Sequence, residues 1–166
     1  MRIRGGPAHF LPAYDKALAD HKAEMEKIAT NPARPTFANT IVASEKAGQL
    51  LRKVGGVFHN LSGSHTNPEL QAIERELSPR LAKHHTAIAL DPRLFARVDD
   101  LFRRRDTLKL DTEQARLLDR YHRNFVRAGA ALDEAAKTRM AEINARLATL
   151  GTAFAQNVLA EEQAFR

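Results

Sequence analysis

The chain of 166 residues contains no cysteine. That excludes a disulfide framework, thiolate zinc sites and a cysteine nucleophile. Tryptophan is also missing, and aromatic residues make up only 6%, lean for a sheet protein and ample for a helical one. No run approaches the ~18 consecutive apolar residues of a membrane span. The opening MRIRGGPAHF has two arginines but no apolar stretch, so it does not read as a signal peptide. Residues 1–8 are set aside as a leader, either a natural start or an expression remnant. Residues 9–166 are taken as one domain, in keeping with about 150 residues per domain. With 43% apolar and 28% charged residues, the composition is that of a folded globular chain. The expected compartment is the cytoplasm.

Catalytic motifs are equally scarce. There is no phosphate-binding G-x-x-x-x-G-K-[ST], no G-x-G-x-x-G and no G-x-S-x-G. Seven histidines are present: His9, His21, His59, His65, His84, His85 and His122. A helical zinc pair needs histidines four residues apart with a Glu as base. None of the seven has that partner, and none is followed by Glu. His84 and His85 are adjacent and diverge by about 100° on a helix, so a solvated helix face is expected for them. His21 stands in an apolar seam and reads as a core or interface histidine. The loop His65-Thr66-Asn67-Pro68 could make contacts, although capping of the next helix accounts for it more simply. Glu24, Glu26, Glu74, Glu76, Glu113, Glu134 and Glu142 read as polar helix faces. No catalytic, cofactor-binding or metal-binding residue is therefore assigned.

Lys and Arg outnumber Asp and Glu by 26 to 20, a net charge of +6. The densest basic cluster, Arg103-Arg104-Arg105, is flanked by Asp99, Asp100, Asp106 and Asp111. Interspersed charge of this kind describes a solvated surface. No nucleic-acid reading module or interleaved stacking aromatics accompany it, so neither a nucleic acid nor a membrane is expected as partner.

What the chain has is helical periodicity. Leu11, Tyr14, Leu18, His21, Met25 and Ile28 step by threes and fours, an amphipathic seam. Asn31 to Pro35, with two prolines, ends it. Thr36 caps a second helix with Ile41, Leu50 or Leu51, Val54, Phe58 and Leu61, in which Gly55-Gly56 marks a bend or a neighbour's close approach. Ser62-Gly63-Ser64 stops it. Asn67-Pro68 and Asp91-Pro92 are cap-plus-proline starts, and Pro79 predicts a kink between them. Asp111 to Gln114 reads as a capping box. After Gly129 a last, long helix carries Met140, Ile143, Leu147, Leu150 and Phe154. Strand and hairpin signals are missing. The expected fold is all-α, a bundle of about six mostly antiparallel helices.

Several stretches, in this order and spacing, resemble one family. They are His9 to Tyr14, Asn31-Pro32 with Pro35-Thr36-Phe37, Asn39-Thr40-Ile41, His65 to Gln71, Leu94 to Asp99, Phe125 to Ala130, Leu150 to Phe154 and Gln156 to Leu159. Together they are similar to the N-terminal helical region of the thimet-oligopeptidase family of zinc metallopeptidases. The peptidyl-dipeptidase (dipeptidyl carboxypeptidase) branch is nearest, then the oligopeptidase A branch.

The resemblance implies a parent that releases dipeptides from the C-termini of short peptides. Its zinc, held by an H-E-x-x-H helix and a downstream Glu, would lie beyond this stretch. This chain would form one wall of the substrate channel, lack the catalytic domain as its partner, and be inactive alone. The alternative is a stand-alone helical interaction module built on the same region. The last helix carries the surface in question. Its first half, with Met140, Ile143 and Leu147, is expected to be covered. Its second half, with Phe154, Val158 and Leu159, is expected to be exposed and able to self-associate.

Overall fold

Capping chemistry sets most of the helix boundaries. The computed structural model describes residues 6–165. Asn67 Oδ1 accepts the Leu70 N–H at 2.9 Å and opens α4, Pro68–Ala89. Asp91 accepts from Arg93 N–H and Leu94 N–H and opens α5, Pro92–Arg103. Asp111 and Gln114 form the reciprocal capping box of α6, Thr112–Ala128. Gly129, at φ +98°, closes α6 in the left-handed region, where glycine is favoured. Asp133 caps α7, a 31-residue helix over Glu134–Ala164. The first helix, α1, spans Phe10–Ala29 and follows a 3₁₀ turn at Pro7–His9.

The second helix departs from the expectation. Thr36 does cap a helical segment, but it is a π-helical turn, Phe37–Val42, leading into the single turn α2, Ala43–Lys46. The chain then breaks: Ala47 is extended and Gly48 takes φ +71°. Only after that does α3 begin, Gln49–Ser64. Tertiary bonds hold the break. Glu24 of α1 accepts the Gly48 N–H at 2.6 Å, and the Arg52 guanidinium donates to the carbonyls of Ala47 and Glu45. Gly55-Gly56 causes no interruption; α3 runs through both, with the Tyr14 hydroxyl lying over Gly55. Helix α4 likewise runs unbroken through Pro79.

Contacts fix the directions. Phe10 and Tyr14 meet Phe58 while Glu24 meets Gly48, so α1 and α3 are antiparallel. Asp15 pairs with Arg80, and His21 with His84, so α1 and α4 run parallel. Phe95 packs on Phe125 and Asp99 on His122, an antiparallel α5–α6 hairpin. In α4 and α7 the pairs 86 with 144, 78 with 148 and 71 with 156 descend as they ascend, again antiparallel. The order across the bundle is α7, α4, α1, α3, with the α5–α6 hairpin closing one end.

Three clusters fill the interior. Phe10, Tyr14, Phe58 and Leu77 anchor the one between α1, α3 and α4. Met25, Ile28, Ala47 and Leu94 form the second, and Ile41, Val98, Leu101 and Leu118 the third. The architecture is all-α: among the described residues there are six helices of twelve or more residues, the short α2, and no strand. Among the described residues no helix is long and apolar enough to cross a membrane.

Candidate docking surface

The segments that carry the resemblance meet one another in space. Arg97, on α5, is buried and donates to the carbonyls of Asn31 and Ala33 and to Asn39 Oδ1. Asn39 in turn completes the reciprocal cap with Thr36. A single guanidinium thus fixes the proline-containing loop, the π turn and α5 together. Burial lowers its pKa from the ordinary arginine value, and nearby Asp100 opposes that. Gln156, on α7, makes the corresponding junction at the other end. Its Nε2 donates to the Gln71 carbonyl at 3.0 Å and to Glu74, and its Oε1 accepts from Arg75. Two joints of the bundle are therefore made within those stretches.

The histidines are scattered among structural tasks. His59 Nδ1 lies 2.7 Å from the Gly55 carbonyl, and the His65 N–H closes α3. His122 stacks on Phe102 at 3.9 Å and contacts Asp99. His9 is exposed at the 3₁₀ turn. His84 corrects the expectation of a solvated face: it is half-buried, with Nε2 2.9 Å from His21 Nδ1. His21 is thereby an interface histidine, and His85 beside it is exposed. Among the described residues no group of three His, Cys, Asp or Glu could hold a metal ion. The carboxylates mostly hold the scaffold: Glu26 pairs with Arg93, Glu76 with Arg80, Glu134 with Lys137 and Glu142 with Arg139. The Arg103–Arg105 cluster is matched by Asp99, Asp100 and Asp106.

The unusual surface is on α7. The face turned to α4 is made of small and polar residues. Asn144 donates to the Thr86 hydroxyl at 3.2 Å, the Ala148 carbonyl accepts from Ser78 at 3.0 Å, and Gln156 completes the row. Small side chains let two helix backbones approach closely. Among the described residues, none on α7 joins the buried core. Its large apolar residues lie elsewhere: Ile143 is 39% exposed, Leu147 60%, Leu150 48%, Phe154 71% and Val158 42%. Steps of four, three, four and four make them one stripe. The expectation for the first half of α7 is thus overturned. Ile143 and Leu147 are exposed, as Phe154 and Val158 are, while Met140 is half-buried and Leu159, expected to be exposed, is half-buried too. Arg139, Glu142, Arg146 and Glu161 are exposed on the same helix, so the apolar stripe runs along a charged element.

No family model matches the chain. Individual proteins do. Dipeptidyl carboxypeptidase of Escherichia coli is 43% identical over 152 residues, which is 92% of this chain and 22% of that protein. The Salmonella typhimurium dipeptidyl carboxypeptidase is 42% identical over 156 residues, covering 94% of this chain and 23% of that protein. Oligopeptidase A of Salmonella typhimurium is 28% identical over 153 residues, 92% of this chain and 22% of the relative. The chain spans less than a quarter of the length of these relatives. Similarity across more than nine-tenths of its residues, at 43% and 42% identity to the two dipeptidyl carboxypeptidases, places the chain in the thimet-oligopeptidase family, as part of its N-terminal helical region.

Proposed function

We propose that this chain is a substrate-enclosing wall of a zinc-dependent peptidyl-dipeptidase, an enzyme that removes dipeptides from the C-termini of short peptides. The α7 stripe is the seat of the catalytic part, and it is the observation that carries the reading. A helix that turns small residues inward and five large apolar residues outward has its second packing surface still to fill. Burying such side chains is worth roughly 1.5–3 kcal/mol each when complete, and contiguous apolar patches mark interaction sites. The matched proteins are much longer than the stretch this chain covers, which supports their remaining part as the occupant in this reading.

The zinc of such an enzyme does not fit the residues present. Among the described residues there is no three-ligand cluster, and the two facing histidines are hydrogen-bonded to each other. Zinc and every catalytic group belong to the remainder in this reading. The part played by this chain is to form a wall, exclude folded proteins and leave the chemistry to its partner. Alone it hydrolyses nothing. It works in the cytoplasm.

A chimera tests this. The matched region of the Escherichia coli dipeptidyl carboxypeptidase is replaced by this chain, and dipeptide release from a blocked peptide is followed. The expected outcome is retained activity that falls at least tenfold with Leu147→Asp plus Phe154→Asp. A folded but inactive chimera, or stripe variants as active as the parent chimera, would overturn the proposal and favour a stand-alone interaction module.

A further inference from the structure

One half-buried polar contact between α1 and α4 is used neither for docking nor at the Arg97 and Gln156 joints. His21 Nδ1 on α1 faces His84 Nε2 on α4 at 2.9 Å, with ring centroids 5.0 Å apart. The same His21 ring packs under the chain break: a Cβ at Gly48 would stand 3.1 Å from it. Glu24, three residues further along α1, holds the Gly48 N–H. Three elements, α1, α4 and the start of α3, therefore meet at one imidazole pair.

Two facing imidazole nitrogens need one proton between them, one ring donating N–H and the other accepting through its lone pair. A single added proton leaves that bond in place. A second one sets N–H against N–H and charge against charge. We infer that His21 and His84 form a proton-operated clasp: it fastens α1 to α4 and to the Gly48 corner while at most one ring is charged, and it releases that junction when both are.

The surroundings resist charging. Lys22 comes from α1, Arg52 from α3 and His85 from α4, while Glu24 alone favours a charged His21. Arg80, Lys83 and Arg93 line the groove that His84 faces, with Glu26 and Asp91 among them. Arg80 is already matched by Asp15 and Glu76, and Arg93 by Glu26 and Asp91. Burial, first of all, pushes both rings below the ordinary histidine value of 6.5, His84 to about 4. As pH falls, the unfolded chain takes up these protons first. The stabilisation is thus complete above pH 6.5 and is lost on descending towards about 4. In that window His84 changes the folded-to-unfolded ratio by up to about tenfold per pH unit, and His21, lowered as well, adds in the same direction.

Imidazole and amide NMR across pH, with urea unfolding at pH 7.5 and 5, provides the test. Both rings should titrate below the free-imidazole value, and the Gly48 amide signal should shift as the second proton binds. In His21→Gln the His84 midpoint should rise towards that of free imidazole. The His21→Gln/His84→Gln double variant should lose at least tenfold less of its folding equilibrium between the two pH values. Should that variant fail to fold, the wild-type titration decides. Independent titration of the rings at the ordinary value, an unmoved His84 midpoint in His21→Gln, or a Gly48 amide indifferent to their charge would overturn the clasp.

Discussion

Arg97 shows how much one side chain can hold. It is buried, it bears a charge, and its guanidinium reaches three acceptors on two otherwise irregular segments. Removing it strands the Asn31 and Ala33 carbonyls and part of the Asn39 cap. Hydrogen bonds from a charged donor are worth roughly 1.5–3 kcal/mol each, and orphaned acceptors add to the loss. Arg97→Met should therefore destabilise the chain by on the order of 3 kcal/mol, read from urea denaturation followed by circular dichroism. Lysine keeps the charge but not the planar fork, so Arg97→Lys should recover less than half. An unchanged unfolding midpoint in Arg97→Met would show that the loop is held by other contacts. In the sequence Arg97 is one of many arginines on an amphipathic helix. Its buried role depends on a loop some sixty residues away, and no local pattern reports that.

At the level of elements, two glycine positions give opposite expectations. Gly48 sits at φ +71°, and a Cβ added there would stand 3.1 Å from the His21 ring. Gly48→Ala should cost about 1–2 kcal/mol, from left-handed strain together with displacement of that ring. Gly56 lies in the interior of α3 with nothing within 4 Å, so Gly56→Ala should stabilise by up to about 1 kcal/mol. Thermal unfolding of the two variants side by side checks both signs. These residues also mark where the sequence could and could not be read. Local chemistry was legible: the caps at Thr36, Asn67, Asp91 and Asp111 and the Gly129 boundary stand as read from the sequence. The break at Gly48 was not, because a long-range bond to Glu24 holds it, and Gly55-Gly56 drew attention to the wrong place. The stripe on α7 was legible as a stripe. Which face packs was not: periodicity identifies an apolar face without saying what covers it, and Asn144, Ala148 and Gln156 hold α4 with polar bonds and a close approach. The Arg97 and Gln156 junctions were legible only as parts of resembling stretches, and their role as joints needed three dimensions.

For the whole molecule, the stripe separates stability from association. Because Phe154 and Leu147 are largely exposed, Phe154→Asp should change the unfolding free energy by less than about 0.5 kcal/mol. The same substitution should weaken self-association, measured by light scattering over a concentration series; equal association of both forms would show that the stripe is not the contact. The three interior clusters form without α7, since no described α7 side chain is among the buried residues. A helix on the order of 45 Å long is thus fastened chiefly to α4, by a few polar bonds and half-covered side chains. Its amides should open locally far more often than those of α1, whose flank is sealed on two sides. Deuterium exchange should label α7 first, down to the Asp133 cap, while α1 stays protected until global unfolding. The outer helix would then behave as a hinged flap whose closure is completed by whatever covers its outer face, and its labelling rate becomes a direct gauge of that partner's arrival.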